Sequence, residues 1–262
     1  MEPQASINGQ RSPLEQARVA VTDEGFARGD GAFETIGVWQ GRAFRLDDHL
    51  ARLSASLVAV GLERPDAAQL RAEIDQLLAG LTDDAALRIY ITASGTRVLT
   101  LAGQPSGRTV AHLAVQPAPW IRPVDSYGPA GAKTMSYLPN MAATREAQRR
   151  GADDALLVAL EGWVLEGPTF AVLWVTDGRL YAPPVSLGIV DSVTRRTLLE
   201  LADDEVIQEQ RPLDHLLAAQ EVLACSAIRG VVPVRRVGDK AFDAATPVCD
   251  RLAAALTHRR HT

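Results

Sequence analysis

Lysine is nearly absent from this chain. Of 27 basic residues only Lys133 and Lys240 are lysines, and arginine supplies the rest. Arginine stays protonated in proteins, whereas a desolvated lysine can lose its proton and become a nucleophilic amine. Lys133 stands in the small, aromatic and apolar run GAKTMSYLPNM (131–141), and that setting marks it for chemistry. Cysteine is equally scarce. Cys225 and Cys249 make neither a disulfide framework nor a metal site, and Cys225, inside VLACSAI, reads as packed core. Long apolar runs are missing too: ALLVAL (155–160) and FAVLWV (170–175) have six residues each, strand lengths far short of a membrane span. The opening MEPQASINGQRSPLEQ has no apolar signal region, so a cytoplasmic protein without a membrane partner is expected. Nor is there an excess of positive charge. A net charge of −5 argues against a general nucleic-acid surface.

What is present is an ordinary globular composition, 47% apolar and 23% charged over 262 residues, enough for one large domain or two small ones. Residues 17–21 and 33–39 read as strands, with a hairpin tip at Gln40–Gly41. The segment 46–62 reads as an amphipathic helix with Asp47 as N-cap, a stripe of Leu50, Leu53, Leu57 and Val60, and Gly61 at its end. A helix at 66–79 and strands at 86–93 and 109–115 follow. QPAPWIRP (116–123) has the composition of a linker. Beyond it the pattern gives a strand into Lys133, a helix over 139–150 and strands at 155–160 and 170–176. A turn at Asp177–Gly178, a helix at 194–202, a strand at 221–227 and a last helix near 246–258 complete it. The irregular alternation predicts an α+β architecture in two domains, 1–117 and 127–262, joined by a linker at 118–126. No strand–GxGxxG–helix unit supports a dinucleotide site.

Four pieces carry chemistry. Lys133 in a cleft would form a Schiff base with an aldehyde, although a lone lysine more often faces solvent. Glu166 interrupts the apolar WVLEGPTFAVLWV (163–175). Buried, it needs a cationic partner such as a protonated pyridine nitrogen; exposed at a strand end, it needs none. Val193 and Thr194 open a helix whose first N–H groups suit phosphate, with Thr194 equally suited as an N-cap. Arg52 in HLARL either clamps a phosphate or snorkels along the surface.

An amine, an acid, a helix end and an arginine are the parts of a pyridoxal 5'-phosphate (PLP) pocket. In RGDGAFETIGVWQGRAFRLDDHLARL, GAKTMSYLPNMAATREAQRRGADDALLV, LEGPTFAVLWV, GIVDSVTRRTLLEL and IRGVVPV the chain resembles the fold-type IV PLP enzymes, the class-IV aminotransferase family. That family includes branched-chain aminotransferases, D-amino acid transaminases and 4-amino-4-deoxychorismate lyases. The resemblance implies a smaller N-terminal α/β domain, a larger C-terminal cofactor domain with a β-barrel-like core, and a homodimer. It implies that Lys133 forms the Schiff base and shuttles the proton, and that Glu166 holds the pyridine nitrogen. Arg52, Val193 and Thr194 would bind phosphate, and Tyr137 the phenolic oxygen of the cofactor. Ala227, with Ser226 beside it, stands where relatives usually carry a phosphate-touching hydroxyl; Ala171 and Ser192 replace a common Asn and Gly.

The substrate side is read from Arg28, Phe33, Thr35, Arg88 and Arg97. Arg88 shares a strand face with Tyr90 and Thr92 by alternation, and Arg97 lies in the loop SGTR, near the carboxylate-binding arginine of D-amino acid transaminases. Arginines facing one pocket favour an acid substrate; singly, each is more often a solvated surface residue. The expected reaction moves an amino group between an amino acid, D-amino acids favoured, and a 2-oxo acid. Phe33-Glu34-Thr35 is similar to the lyase branch, which eliminates pyruvate to give 4-aminobenzoate, and that alternative stays open. A non-catalytic binding protein would have no need of both Lys133 and Glu166.

Overall fold

A computed structural model of the chain describes residues 1–105, 110–118 and 129–261. These form two compact units: Met1–Ser106 with Ala132–Tyr137 and His261, and Gly107–Gly131 with Leu138–Arg260. Apart from Ala118, the linker expected at 118–126 lies outside the described residues.

The first unit is built on a six-stranded antiparallel sheet. The strands β1 (Gln4–Ile7) and β2 (Gln10–Pro13) form a hairpin across Asn8 and Gly9. Both turn residues have positive φ, 51° and 86°, as a two-residue I′ turn requires. The strand expected at 17–21 does not form; those residues carry no ladder, and Val21 is 75% exposed. Next come α1 (Glu24–Arg28), β3 (Gly31–Trp39), β4 (Arg42–Ala43), α2 (Leu46–Ala59), α3 (Ala67–Leu78), β5 (Ala85–Thr92) and β6 (Arg97–Gly103), in sheet order β2-β1-β6-β5-β3-β4. The N-cap of α2 is Arg45 in the left-handed region (φ 51°), not Asp47, which lies within the first turn where its charge suits the helix dipole.

Burial along the central strands alternates with period two. Ala32, Ile36 and Val38 of β3 and Leu87, Ile89 and Ile91 of β5 are buried with Leu53 and Leu57 of α2 and Ile74 of α3. Phe33, Thr35, Arg88 and Tyr90, on the opposite face, are half-buried. The segment Ala132–Tyr137 belongs to this unit because its backbone joins β3. Thr134 bridges Ala32, Phe33 N–H donates to the Lys133 carbonyl (3.0 Å), and Met135 N–H to that of Gly31 (2.8 Å). The strand expected to lead into Lys133 is thus a single bridge.

The second unit contains two open sheets. Its strands are β7 (His112–Pro117), β8 (Asp154–Val158), β9 (Ala171–Thr176), β10 (Arg179–Ala182), β11 (Glu205–Gln208), β12 (Glu221–Ser226), β13 (Gly230–Val234), β14 (Arg236–Val237) and β15 (Lys240–Ala241). Its helices are α4 (Leu138–Arg149), α5 (Val193–Leu201), α6 (Leu213–Leu217) and α7 (Pro247–His261). The sheet orders are β11-β10-β9-β12-β13 and β15-β14-β7-β8. The expected barrel-like core is therefore corrected to open sheets, with no closed barrel among the described residues. The chain leaves one sheet at Val234 and enters the other at Arg236, and the Arg235 and Arg236 N–H groups both donate to the Ala111 carbonyl (2.7 and 2.8 Å). That crossing breaks the ladder rather than carrying it around.

Trp174 and Cys225 are fully buried in this unit, and burial pushes the Cys225 thiol up to about 12. Glu221, also buried, accepts the Val248 and Cys249 N–H groups at 3.0 Å each and so caps α7. Among the described residues no helix is long and apolar enough to cross a membrane, and no cluster of three or more His, Cys, Asp or Glu could hold a metal.

Candidate active site

In the first unit the Lys133 side chain lies over an aromatic cluster. Its Nζ is 4.1 Å from the Phe33 ring centroid and 5.6 Å from that of Tyr137. Phe33 stacks on Tyr90 (5.8 Å, 14°) and meets Tyr137 edge-on (5.2 Å). Phe33 and Tyr90 are cross-strand partners, so the sheet itself builds this platform. Burial pushes the Tyr90 phenol up, and the Arg88 charge opposes it. The close approach of Lys133 to β3 requires glycine at position 31. A Cβ there would lie 2.5 Å from the Ile91 carbonyl oxygen and 2.6 Å from the Met135 sulfur.

Beneath the same strand is a buried ionic cluster. Arg52 Nε and Nη2 donate to the two oxygens of Glu34 at 2.7 Å each, and His49 Nδ1 is 2.8 Å from Glu34 Oε2. Glu34 is fully buried and the Arg52 side chain only 13% exposed. Arg52 thus does not snorkel; its guanidinium is oriented by a bidentate carboxylate. Burial alone would raise the Glu34 carboxyl, but the Arg52 charge and hydrogen bonds, aided by His49, hold it at about 2. Burial pushes the His49 imidazole down, against its hydrogen bond to Glu34, and the charges of Arg52 and Lys133 add to the lowering. Glu34 and His49 were missed in the sequence. FET and DHLAR held the signal, a carboxylate among apolar residues and a His-Arg pair three residues apart on one helix.

The three substrate-side arginines separate sharply. Arg28, at the exposed end of α1, pairs with Glu24. Arg97 begins β6 rather than lying in a loop, and it pairs through Nε and Nη2 with the buried Glu73 of α3 (3.0 and 2.7 Å). Its register partner is Ile91, so it points to the helix-covered face, away from Phe33 and Tyr90. Sequence reading could not see this, because facing depends on where the β5–β6 turn sets the register. Arg88 lies on the Phe33 face, and among the described residues its guanidinium makes no hydrogen bond or ion pair. Thr35 is its direct neighbour on β3. Thr92, expected with them, is buried and donates to Asp23 (3.0 Å).

In the second unit, Glu166 is 6% exposed, which decides for the buried reading. Its backbone is held on β8, its carbonyl accepting from Leu157 N–H (2.9 Å), and its carboxylate accepts the Val190 N–H at 3.2–3.4 Å. The following Gly-Pro-Thr turn folds under the Phe170 ring, 2.1 Å from where a Gly167 Cβ would stand. Asn140 of α4, buried and unnoticed in the sequence, secures that turn by donating to the Pro168 carbonyl (2.7 Å). The N-cap of α5 is Ser192, whose hydroxyl accepts Arg195 N–H (3.2 Å); Thr194 lies one position inside the helix. The N–H groups of Val193 and Thr194 are therefore first-turn donors that the helix cannot satisfy. Ser226 Oγ accepts Arg229 N–H (3.3 Å), and the Ala227 carbonyl accepts Arg260 Nη2 (3.2 Å).

Residues 31–237 match the family model of class IV aminotransferases. The chain belongs to that family. Within it, the chain is 31% identical, over 67% of its length and 69% of the relative's, to a bifunctional aminodeoxychorismate lyase / D-amino acid transaminase of Mycobacterium tuberculosis. It is 28% identical, over 90% and 88%, to a putative branched-chain-amino-acid aminotransferase of Methanocaldococcus jannaschii. A hypothetical aminotransferase from M. tuberculosis, solved with alpha-ketoglutarate and PMP bound, covers 98% of both chains at 26% identity and a TM-score of 0.89. Class IV aminotransferases are PLP enzymes, and this chain has the same mixed helix-and-sheet fold. Taken one unit at a time, the groups such a cofactor needs are present: in the first an amine that suits its aldehyde, and in the second a buried carboxylate that suits its ring nitrogen and first-turn N–H groups that suit its phosphate.

Proposed function

We propose that the protein moves an amino group between an amino acid, D-amino acids favoured, and a 2-oxo acid. The observation that carries this reading is the Arg88 guanidinium, without an ion-pair partner among the described residues, on the face where Phe33 underlies the Lys133 amine. A half-buried guanidinium without a carboxylate is disposed to take one from a substrate. Lys133 would hold the cofactor through its aldehyde and, once displaced by the substrate amine, take the proton from the substrate α-carbon and deliver it to the former aldehyde carbon on the other side of the substrate nitrogen. Glu166 would keep the ring nitrogen protonated. Val193 and Thr194 would anchor the phosphate through their N–H groups, with Arg52 as its cationic clamp and Ser226 and Ala227 beside it. Tyr137 would donate to the phenolic oxygen. The cofactor, when bound, supplies an electron sink for the pair left by the broken C–H bond. Phe33 would pack against the substrate, and Arg28 would lie at the outer edge of its site.

Two observations favour a second reading, the lyase that eliminates pyruvate from aminodeoxychorismate. Arg97, which argued for D-amino acids, is committed to Glu73 on the other face, while Thr35 lies beside Arg88. The bifunctional relative is described by both activities.

The deciding experiment mixes PLP-loaded protein with D-alanine alone and follows the visible absorbance. Bleaching that 2-oxoglutarate reverses supports the aminotransferase. No change with D-alanine, together with fluorescent 4-aminobenzoate from aminodeoxychorismate, moves the assignment to the lyase. The same reading makes the protein a cytoplasmic homodimer, and light scattering should give twice the 28.1 kDa chain mass.

A further inference from the structure

Ser56 of α2 is a buried hydroxyl between the core residues Leu53 and Leu57 of the same helix. A serine inside a helix usually faces solvent or bonds the carbonyl four residues back. Here its Oγ instead accepts the backbone N–H of Lys133, 77 residues along the chain, at 3.0 Å. The Lys133 carbonyl accepts Phe33 N–H of β3 at 3.0 Å. The lysine main chain is therefore held from both sides, its N–H by a helix and its carbonyl by a strand. Both contacts lie within the first unit.

The same helix face carries the ionic cluster. His49, Arg52 and Ser56 fall at i, i+3 and i+7, on one side of α2. The first two grip Glu34 of β3, and Ser56 grips Lys133, whose backbone bonds the adjacent Phe33. One face thus sets Arg52 and Lys133 against the same strand. The amine rides on a flexible stem, so its place over the Phe33 ring, 4.1 Å from the centroid, depends on where the main chain is held. A displacement of about 1 Å in a reacting group can cost on the order of 100-fold in rate.

We propose that Ser56 is a positioning residue: its hydroxyl holds the Lys133 main chain against α2, so that the amine stays over Phe33 and in fixed relation to Arg52. The inference rests on the aminotransferase reading for its effect on turnover, but the placement of the amine can be measured without cofactor or substrate.

The chain has only two lysines, so lysine labelling gives two signals, and Lys240→Arg identifies each. In cofactor-free, full-length protein labelled with 13C at lysine Cε, the Lys133 ε-CH2 protons should lie upfield of those of the exposed Lys240, shifted by the Phe33 ring current. Ser56→Ala should move them towards the Lys240 position, and Ser56→Thr, which keeps the oxygen, should hold them upfield. Formation of the visible band on adding PLP should slow about 10-fold in the Ala variant, as loss of one buried hydrogen bond implies, and recover with Thr. With D-alanine and 2-oxoglutarate, kcat should fall by a similar factor while KM stays unchanged. Backbone 15N-lysine labelling of the parent is a check that needs no variant: the Lys133 amide should exchange slowly with solvent. A freely exchanging Lys133 amide, an unmoved Lys133 signal with unchanged PLP capture in Ser56→Ala, or a loss that Thr does not restore overturns the inference. A Ser56-dependent Lys133 signal in a protein that converts no amino acid would keep the positioning role and sink the aminotransferase reading.

Discussion

At Lys133 the proposed chemistry depends on a single amine. Lys133→Ala should abolish both the visible band of the bound cofactor and turnover; normal turnover in that variant would remove the assignment. Glu34 makes a prediction about pH. Its carboxyl is held at about 2, below its usual 4.5. A depressed acid stabilises the fold above its unfolded value, and the contribution fades as pH falls from about 4.5 towards 2. The shift corresponds to on the order of 3 kcal/mol. Glu34→Gln should therefore be destabilised at neutral pH, by roughly 3–5 kcal/mol because Arg52 and His49 lose a buried counter-charge. Its stability should also fall less steeply than the parent's below pH 4.5. Urea denaturation between pH 7 and 3 checks both. Equal slopes would mean that the Glu34 cluster is not ionised as described. Arg52 was named from the sequence, but its pairing with Glu34, and that of His49, could not be, because Glu34 lies 18 residues from Arg52 and 15 from His49.

At the level of elements, Gly31 and Glu221 show how a strand and a helix are fixed from outside themselves. Gly31→Ala places a methyl group against the Ile91 carbonyl and the Met135 sulfur, so β3 and the 132–137 segment must separate. We expect about 1–3 kcal/mol of destabilisation, the usual cost of overpacking, and weaker PLP binding measured by fluorescence titration. Glu221→Ala leaves two N–H groups of α7 without their acceptor. The expected cost is about 1–3 kcal/mol, with faster amide exchange confined at first to residues 248–250. Most elements were legible locally. The amphipathic periods of α2 and α3 and the apolar runs of β8 and β9 are written in consecutive residues. The β1–β2 hairpin was missed although Asn8-Gly9 is a hairpin signal, because the strands around it are only weakly apolar. By contrast, ARVAV at 17–21 has a strand's composition and no strand to pair with.

For the whole molecule, cofactor binding should appear as stability. A ligand that binds only the folded chain adds about 2.7 kcal/mol at a hundredfold excess over its Kd. For a chain of this size that is a rise of roughly 5–10 °C in Tm. Calorimetry should show this rise with PLP, and Glu166→Ala and Lys133→Ala should each reduce it. An undiminished rise in both variants would mean that PLP binds elsewhere.

The sequence by itself determined the family and singled out the candidate residues for its chemistry. A lysine in an arginine-rich chain, a glutamate inside an apolar run and a helix-opening SVT each depend on a few adjacent residues, and such signals survive in one dimension. It also determined the alternation that puts Arg88 with Tyr90, since a strand's period is local. Only the tertiary structure decided which arginine is available. Arg88 and Arg97 look alike in sequence, yet the β5–β6 register turns Arg97 to Glu73 and leaves Arg88 opposite Thr35 and Thr100. Only the structure showed that Glu166 is buried, that Glu34 holds Arg52, and that the sheets of the second unit stay open. The reason is the same in each case. Partners far apart in the chain meet through register and packing, and neither is encoded at either residue alone.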